Sequence, residues 1–177
     1  MIRPLIYYNN PILRKKCLPI EKITEEIHQL AADMIETMDE KKGVGLAACQ
    51  IGVLLRIFVI RPEEKTTKGE YILGSPEVFI NPILSQPSEE KEGMEEGCLS
   101  LPGLHLEVIR PVSIHIKAMN LEGEKKSFIT KGFKAREIMH ENDHLNGKLF
   151  IDRLDKKKKR EINPFLQEIK KKYTINL

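Results

Sequence analysis

Two histidines separated by three residues are the sharpest chemical feature of this sequence. They lie in the segment His140-Glu141-Asn142-Asp143-His144, an H-E-x-x-H pattern inside a run whose spacing predicts a helix. Positions four residues apart share one helix face, so both imidazoles can bind one metal ion. Glu141 then lies beside the first ligand and can act as a general base toward a metal-activated water. The alternative is a pair of surface histidines, but apolar neighbours suggest a buried helix.

A catalytic site of this type needs a third protein ligand and keeps one coordination position open for water. The extended H-E-x-x-H-x-x-G-x-x-H pattern fails here, because Phe150 occupies the place of the last histidine. Residues 95–103 carry a cysteine in a segment bounded by glycine and proline, where the backbone can approach a ligand closely. The upstream candidates for the third ligand are Cys17, Cys49, Cys98, His105 and His115.

A second segment rich in small residues lies at positions 43–50, which read G-V-G-L-A-A-C-Q. It lacks the G-x-x-x-x-G-K of a phosphate loop and the strand that precedes a dinucleotide site, so it predicts no nucleotide cofactor. One interpretation is a stretch that lets a substrate backbone approach, with the Gln50 amide as a polarising group. The other is a tight turn between a helix and a strand.

The hydrophobic pattern predicts an α+β fold that positions these segments. Short antiparallel or mixed strands would pack around a central helix carrying H-E-x-x-H, with one helix near each end of the chain. Helices are predicted over residues 24–42, 134–146 and about 163–173. Strands are predicted over residues 56–60, 78–84, 104–110, 112–120 and 125–130. Residues 63–74 are expected to form a polar connector and residues 87–96 an acidic loop.

Length and charge limit the classes of protein that fit. The 177 residues, 41% of them hydrophobic, predict a single domain over 1–177, with no apolar run long enough for a membrane and no export signal. The net charge of +3 is too small to indicate a nucleic-acid binder, but residues 153–173 carry a net +6. This basic segment either faces an anionic partner or is a solvated helix. Three cysteines, an odd number, indicate free thiols in a reducing compartment.

Three segments, taken together and in order, resemble a known family. G-V-G-L-A-A-C-Q at 43–50, E-G-C-L-S at 96–100 and H-E-N-D-H at 140–144 resemble the three signature segments of the peptide deformylases. N-P-I-L-R at residues 10–14 and the segment at 145–153 are similar to that family as well. The resemblance therefore covers nearly the whole chain and is far more specific than any single motif.

The resemblance implies a metal centre at matching positions. Cys98, His140 and His144 would hold one ion, with a water in the fourth position. Glu141 would take the proton of that water and deliver it to the departing amine. The family uses ferrous iron, whereas the ligand types alone would suggest zinc, and Ni²⁺ or Co²⁺ are further substitutes.

The resemblance also implies how a substrate would bind. The Gln50 side chain and the Leu99 backbone N–H would form an oxyanion hole. Val44, Gly45 and Gly97 would bind the peptide backbone as an added strand. An apolar pocket, walled partly by the H-E-x-x-H helix, would accept the methionine side chain.

The activity implied by the resemblance is removal of the N-formyl group from N-formylmethionine of newly synthesised proteins, with release of formate. The implied partners are nascent N-formylmethionyl polypeptides in the cytoplasm and, through the basic C-terminal helix, the ribosome. The sequence departs from the family pattern at Cys49, where proline is expected, and at Met139, where glutamine is expected. The second departure puts in doubt a hydrogen bond among the groups that surround the metal ligands.

Two other functions are compatible with H-E-x-x-H alone. A zinc endopeptidase would take a downstream carboxylate, Glu161 or Glu168, as its third ligand. A non-enzymatic protein with a closed structural metal site would need a fourth protein ligand, for which Cys49, His105 and His115 are candidates.

Overall fold

The computed structural model describes residues 1–65, 67, 68 and 70–173. Within these ranges the α-helices are α1 (Glu25–Glu40), α2 (Gly132–Leu145), α3 (Lys156–Glu161) and α4 (Asn163–Tyr173). The strands are β1 (Gly45–Ala47), β2 (Ile57–Ile60), β3 (Glu63–Lys65), β4 (Tyr71–Leu73), β5 (Glu77–Ser85), β6 (Lys91–Cys98), β7 (Leu101–Pro111), β8 (Ser113–Met119) and β9 (Lys125–Lys131). No helix in the described part of the chain combines the length and the apolar character that crossing a membrane requires.

A five-stranded antiparallel sheet forms the frame of the molecule, with the strand order β1-β2-β5-β8-β9. All four residues of β2 are buried, because both faces of this central region are covered. Ile57 and Val59 point to one core cluster, and Phe58 and Ile60 to the other. The alternation of side chains along the strand thus divides the core into two layers.

Helix α1 covers one face of the sheet. Its buried apolar residues recur at intervals of three and four, which places them along one stripe facing the sheet. Thr24 is the N-cap residue but its side chain makes no capping hydrogen bond, and Glu25 and Glu26 supply negative charge near the helix N-terminus. The helix predicted over residues 24–42 is confirmed.

Helix α2 lies between the five-stranded sheet and a second sheet, the hairpin of β6 and β7. Ala135 and Ile138 of the helix share one core cluster with Phe58 of the large sheet and with Leu101 and Val108 of the hairpin. The H-E-x-x-H helix is therefore the central element of the molecule, with helices before and after it in the chain. The predicted α+β fold class is confirmed.

Two segments that we expected to be irregular form strands. Residues 63–74 contain the β3–β4 hairpin, although residues 66 and 69 lie outside the described part. Residues 87–96, expected as an acidic loop, contain most of β6. The prediction of a loop was wrong, because K-E-G-M-E-E-G-C lacks the β-branched residues typical of strands. Pairing along the length of β7 holds this strand in place.

The C-terminal helix α4 has the predicted bounds and packs against the body. Leu166 and Ile169 are buried in the same cluster as α2. The ring of Tyr173 stacks on Tyr7 of the N-terminal segment with centroids 4.1 Å apart. The apolar face of α4 is thus docked on the core, and its lysines occupy the outer side.

We expect the glycine after α2 to be essential for stability. Gly147 has φ of +69°, and a Cβ there would overlap the backbone carbonyl of Arg14. Gly147→Ala should lower the free energy of unfolding by about 3 kcal/mol, because a backbone clash adds to the left-handed strain. The control is Gly52→Ala, since Gly52 has φ of +84° but no atom within 4 Å of the place that a Cβ would occupy. Gly52→Ala should lower the free energy of unfolding by about 1 kcal/mol. Equal losses of unfolding free energy for the two variants in urea denaturation would contradict this account.

Candidate metal centre and active site

Cys98, His140 and His144 converge on one point. One ligand atom from each of these residues lies within 4.8 Å of the others, and no second group of this kind occurs in the described residues. Sγ of Cys98 is 3.3 Å from Nε2 of His144, and the two imidazole centroids are 5.1 Å apart. The i, i+4 spacing on α2 places both rings on one face, as the sequence predicts. Both histidines are buried.

Cys98 reaches the helix because the β6–β7 hairpin is irregular at its tip. The register shifts between Gly97 and Cys98, so that Gly97 pairs with His105 whereas Cys98 pairs with Leu101. Such irregularities change the direction of a side chain relative to a regular ladder. Gly97 also allows close packing, since a Cβ there would lie 2.7 Å from the ring of His105.

The other candidates for a metal ligand lie outside this cluster. His115 is on β8, with its ring nitrogens 3.1 Å from Oγ of Ser85 and 2.9 Å from Oγ of Ser127. Cys17 and Cys49 are buried free thiols, and Cys49 donates to the backbone oxygen of His144 rather than joining the ligand atoms. Within the described ranges no fourth histidine, cysteine or carboxylate completes the set, which disfavours a closed structural site.

Glu96 orients the first histidine. Nδ1 of His140 is 3.0 Å from Oε2 of Glu96, which leaves Nε2 for a metal ion. Burial opposes ionisation of Glu96, but hydrogen bonds from Arg110 and His140 prevail and lower its pKa to about 2. Met139, where the family pattern has glutamine, is buried in the apolar core. The hydrogen bond that fixes this imidazole therefore comes from Glu96 on strand β6 and not from position 139 of the helix.

A buried network of charges surrounds Glu96. Arg110 donates to both of its carboxylate oxygens at 2.6 and 2.9 Å, and Arg136 donates to Oε1 at 2.7 Å. Arg110 also donates to Asp143 at 2.8 Å, and Arg153 contacts both oxygens of Asp143. The network ties β6, β7 and α2 together next to the candidate metal ligands.

The sequence interpretation missed this network. Asp143 occupies one of the unspecified positions of H-E-x-x-H, and Arg110 is the last residue of a strand predicted from its alternating apolar residues. A signal was present, since Arg110 occupies a position at which the alternation places an inward-facing side chain. The sequence alone does not show which carboxylates it would meet, because its partner Glu96 belongs to a segment expected to be a loop.

Glu141 lies directly beside the edge strand β1. A Cβ at Gly45 would overlap Oε1 of Glu141, so only glycine permits this approach. Oε2 of Glu141 is buried with no hydrogen-bond partner in the described residues. Burial raises the pKa of this carboxyl to about 7, against the opposing charge of His140. A carboxyl with such a pKa can both accept and release a proton near neutrality.

Gln50 presents its amide nitrogen to the same point. Its Oε1 accepts a hydrogen bond from the backbone N–H of Ala47 at 2.8 Å, which fixes the orientation of the amide. Its Nε2 then donates to Oγ of Ser100 at 3.1 Å and to Sγ of Cys98 at 3.4 Å. A donor is thus preorganised next to the candidate ligands.

One cavity of about 530 Å³ connects these groups. Its lining includes every site residue that the family resemblance implied except His144, which is buried. Val44 and Gly45 form one side at the free edge of the large sheet, and Gly97 and Leu99 lie on the β6–β7 hairpin opposite. The arrangement is a groove between two sheet edges with a Cys-His-His cluster and a buried carboxyl at its base.

Comparison with known proteins agrees with this geometry. A family model described as polypeptide deformylase matches residues 2–160. The chain belongs to the peptide deformylase family. The peptide deformylase of Methylacidiphilum infernorum (isolate V4) is 42% identical over 180 residues, which cover 97% of this chain and 94% of that protein. The peptide deformylase of Rhizobium meliloti (strain 1021) is 44% identical over 158 residues, covering 89% and 88%.

Solved deformylase structures share the fold. The peptide deformylase of Ehrlichia chaffeensis has a TM-score of 0.85 and 35% identity, with 97% of each chain covered. A class I type b peptide deformylase from Acinetobacter baumannii, crystallised with Met-Ala-Ser bound, has a TM-score of 0.80 and 32% identity. That match covers 87% of this chain and 99% of the other.

The ion network predicts a large effect for one arginine. Arg110→Met should lower the free energy of unfolding by about 3 kcal/mol, because it removes a buried partner of both Glu96 and Asp143. It should also weaken metal binding about tenfold to a hundredfold, since Glu96 positions His140. The control is Arg14→Met, whose ion pair with Asp152 is exposed and should contribute at most about 1 kcal/mol. Equal losses for the two variants in urea denaturation would refute this role of the network.

Proposed function

We propose that this chain is a metal-dependent hydrolase that removes the N-formyl group from N-formylmethionine at the start of new polypeptides and releases formate. The observation that carries the proposal is the Cys98–His140–His144 cluster with the buried carboxyl of Glu141 beside it, at the base of an open groove in a deformylase-family chain. We take 1–177 to be a single catalytic domain.

The three ligand atoms fit a single ion. Cys98 offers a thiolate, and the contact of Glu96 with Nδ1 of His140 leaves Nε2 of that ring free to bind. Burial lowers the pKa of His144 well below its usual range, which favours the neutral imidazole that a metal needs. We propose Fe²⁺ as the ion, with Zn²⁺, Ni²⁺ or Co²⁺ as substitutes, because thiolate and imidazole suit all of them. When bound, such an ion acidifies water and polarises a carbonyl group.

Glu141 moves the proton. Its carboxylate accepts a proton from the attacking water and then delivers it to the amine nitrogen that leaves when the formyl C–N bond breaks. The raised pKa near 7 suits both steps, since the group exchanges a proton readily at neutral pH.

Two donors stabilise the negative charge that develops on the formyl oxygen. Nε2 of Gln50 is held in place by the contact of the same amide with Ala47, and the backbone N–H of Leu99 follows the cysteine in the hairpin turn. Donors fixed in advance need no reorganisation during the reaction, which makes such groups effective.

The peptide backbone of the substrate lies in the groove as an additional strand. Strand β1 is an edge of the large sheet and pairs only with β2 among the described strands. Val44 and Gly45 on this side, and Gly97 on the hairpin side, would form its backbone hydrogen bonds. The absence of side chains at the two glycines lets Glu141 and His105 pack closely against the backbone that the peptide would contact.

The substrates we propose are nascent N-formylmethionyl polypeptides in the cytoplasm, which fits three free thiols and no disulfide. The lysines on the outer side of α3 and α4 form a basic surface that would contact ribosomal RNA through its phosphates.

Formate release tests the reaction directly. Wild-type protein prepared anaerobically with Fe²⁺ should release formate from a short N-formylmethionyl peptide. Cys98→Asn should abolish both turnover and tight metal binding, because it removes the thiolate ligand. Cys17→Ser is the matched control, since Cys17 is a buried thiol outside the cluster, and it should retain both. Absence of formate from metal-loaded wild-type protein would refute the proposal.

Replacement of the general base separates catalysis from metal binding. Glu141→Gln should lower kcat about 10²- to 10⁴-fold while the metal content stays unchanged, because the amide cannot accept the proton. Glu161→Gln removes an exposed carboxylate outside the groove and should leave turnover and metal content intact. Near-normal turnover by Glu141→Gln with metal bound would contradict the assignment of the base.

Charge removal tests the ribosome contact. Lys171→Gln combined with Lys172→Gln should weaken cosedimentation with ribosomes. The slope of the logarithm of the binding constant against the logarithm of the salt concentration should become shallower by about two, since each lysine neutralises a phosphate. Formate release from short peptides should not change. The same pair of changes at Lys22 and Lys125, which lie on the body, is the control. Equal salt dependence of the two double variants would exclude this surface as the contact.

A further inference from the structure

One buried carboxyl in the groove has no place in the mechanism above. Glu137 lies on α2 four residues before Glu141, so the two side chains share a helix face. It lines the same cavity as Glu141 and His140. Apolar residues, among them Phe133 and Leu104, form much of the neighbouring wall.

The carboxyl group of Glu137 is buried without a partner. The residue is 5% exposed, and neither Oε1 nor Oε2 has a hydrogen-bond partner in the described part of the chain. Two cations lie on the same helix, and both have other partners: Lys134 donates to Glu77 at 2.5 Å and Arg136 to Glu96 at 2.7 Å. A buried polar group left unpaired destabilises a protein, and such groups are rare in folded chains.

The surroundings of Glu137 favour its neutral form. Burial, and then the charges of Glu141, Glu63 and Glu77, raise the pKa of Glu137 to about 9, against the opposing charge of Lys134. The group therefore carries its proton at neutral pH and offers an O–H donor.

The position of Glu137 matches the side chain of the first substrate residue. The formyl carbon must lie next to Glu141 and Gln50, and the first residue is bonded directly to the formyl group. Four residues, a rise of about 6 Å, separate Glu137 from Glu141 along α2. The methionine side chain is unbranched and flexible, and it can extend over this distance.

We propose that Glu137 is a specificity-determining residue whose carboxyl donates a hydrogen bond to an acceptor at the end of the first substrate side chain. The acceptor is the thioether sulfur of methionine or the oxygen of methionine sulfoxide. The proposal rests on the deformylase activity proposed above. It replaces the wholly apolar pocket expected from the sequence with a pocket that recognises a sulfur-borne acceptor.

Norleucine separates this pocket from an apolar one, because it has the shape of methionine but no acceptor. We would measure kcat/KM for formyl peptides that begin with methionine, norleucine or methionine sulfoxide and continue with Ala-Ser. Wild-type protein should prefer methionine to norleucine by about threefold and should accept the sulfoxide. Glu137→Leu and Glu137→Met lack the donor, so they should lose the preference and hydrolyse the sulfoxide about tenfold less well.

Glu137→Gln keeps an N–H donor and should retain the wild-type order of substrates. The two apolar variants should melt at a higher temperature, because they remove a buried unpaired carboxyl. Glu161→Leu removes an exposed carboxyl outside the cavity and should change neither the substrate order nor the melting temperature.

Binding of Met-Ala-Ser and Nle-Ala-Ser, followed by calorimetry, gives a readout that does not need turnover. The wild-type preference for Met-Ala-Ser should disappear in Glu137→Leu and remain in Glu137→Gln. If all proteins release formate but the ratio of methionine to norleucine is the same in each, the role of Glu137 is refuted and the activity stands. If no protein releases formate, the activity is refuted. The preference for Met-Ala-Ser over Nle-Ala-Ser in the binding measurement then decides by itself whether Glu137 donates a hydrogen bond to the acceptor.

Discussion

Glu96 accepts hydrogen bonds from Arg110 and Arg136 and holds Nδ1 of His140 at 3.0 Å, and all of these residues are buried. Buried charges are tolerated only when each one meets an opposite charge in good geometry. The partners come from β6, β7 and α2, so these elements must keep one relative position for the carboxylate to be satisfied. Cys98 and His140, two of the proposed metal ligands, lie on two of the same elements. The electrostatic requirement of the core therefore also sets the distance between the ligands.

Close approach of backbone and side chain is the second constraint on the groove. Gly45 allows the carboxyl of Glu141 to lie against the sheet edge, and Gly97 allows the ring of His105 to pack on the hairpin. Gly43 likewise accommodates the side chain of Leu99, which would lie 2.8 Å from a Cβ. A methyl group at any of these positions would push a wall of the groove outward. The small residues of the sequence thus determine the width of the site rather than only the flexibility of the chain.

The groove contains polar atoms that the fold does not satisfy. Oε2 of Glu141 and both oxygens of Glu137 are buried without hydrogen-bond partners in the described residues, although the network around Glu96 is almost fully paired. Unpaired groups weaken the folded state, but they are available to a bound molecule. The residues of α2 that belong to the network around Glu96 hold the structure, whereas the two unpaired carboxyls on the same helix can act on a substrate.

Local sequence patterns predicted α1, α2, α4 and five of the nine described strands but not α3, because helical and strand periodicity depend on neighbours within a few residues and α3 is a short run of charged residues. They also determined that His140 and His144 share a face and that the three motifs belong to one family. The H-E-x-x-H spacing alone left five upstream candidates for the third ligand, the family resemblance pointed to Cys98, and the sequence predicted a loop where β6 forms. The tertiary structure brings Cys98 to the two histidines, and only that structure shows that Glu96 pairs with a histidine 44 residues away. Contacts across such separations depend on how sheets and helices pack, and no local pattern encodes them.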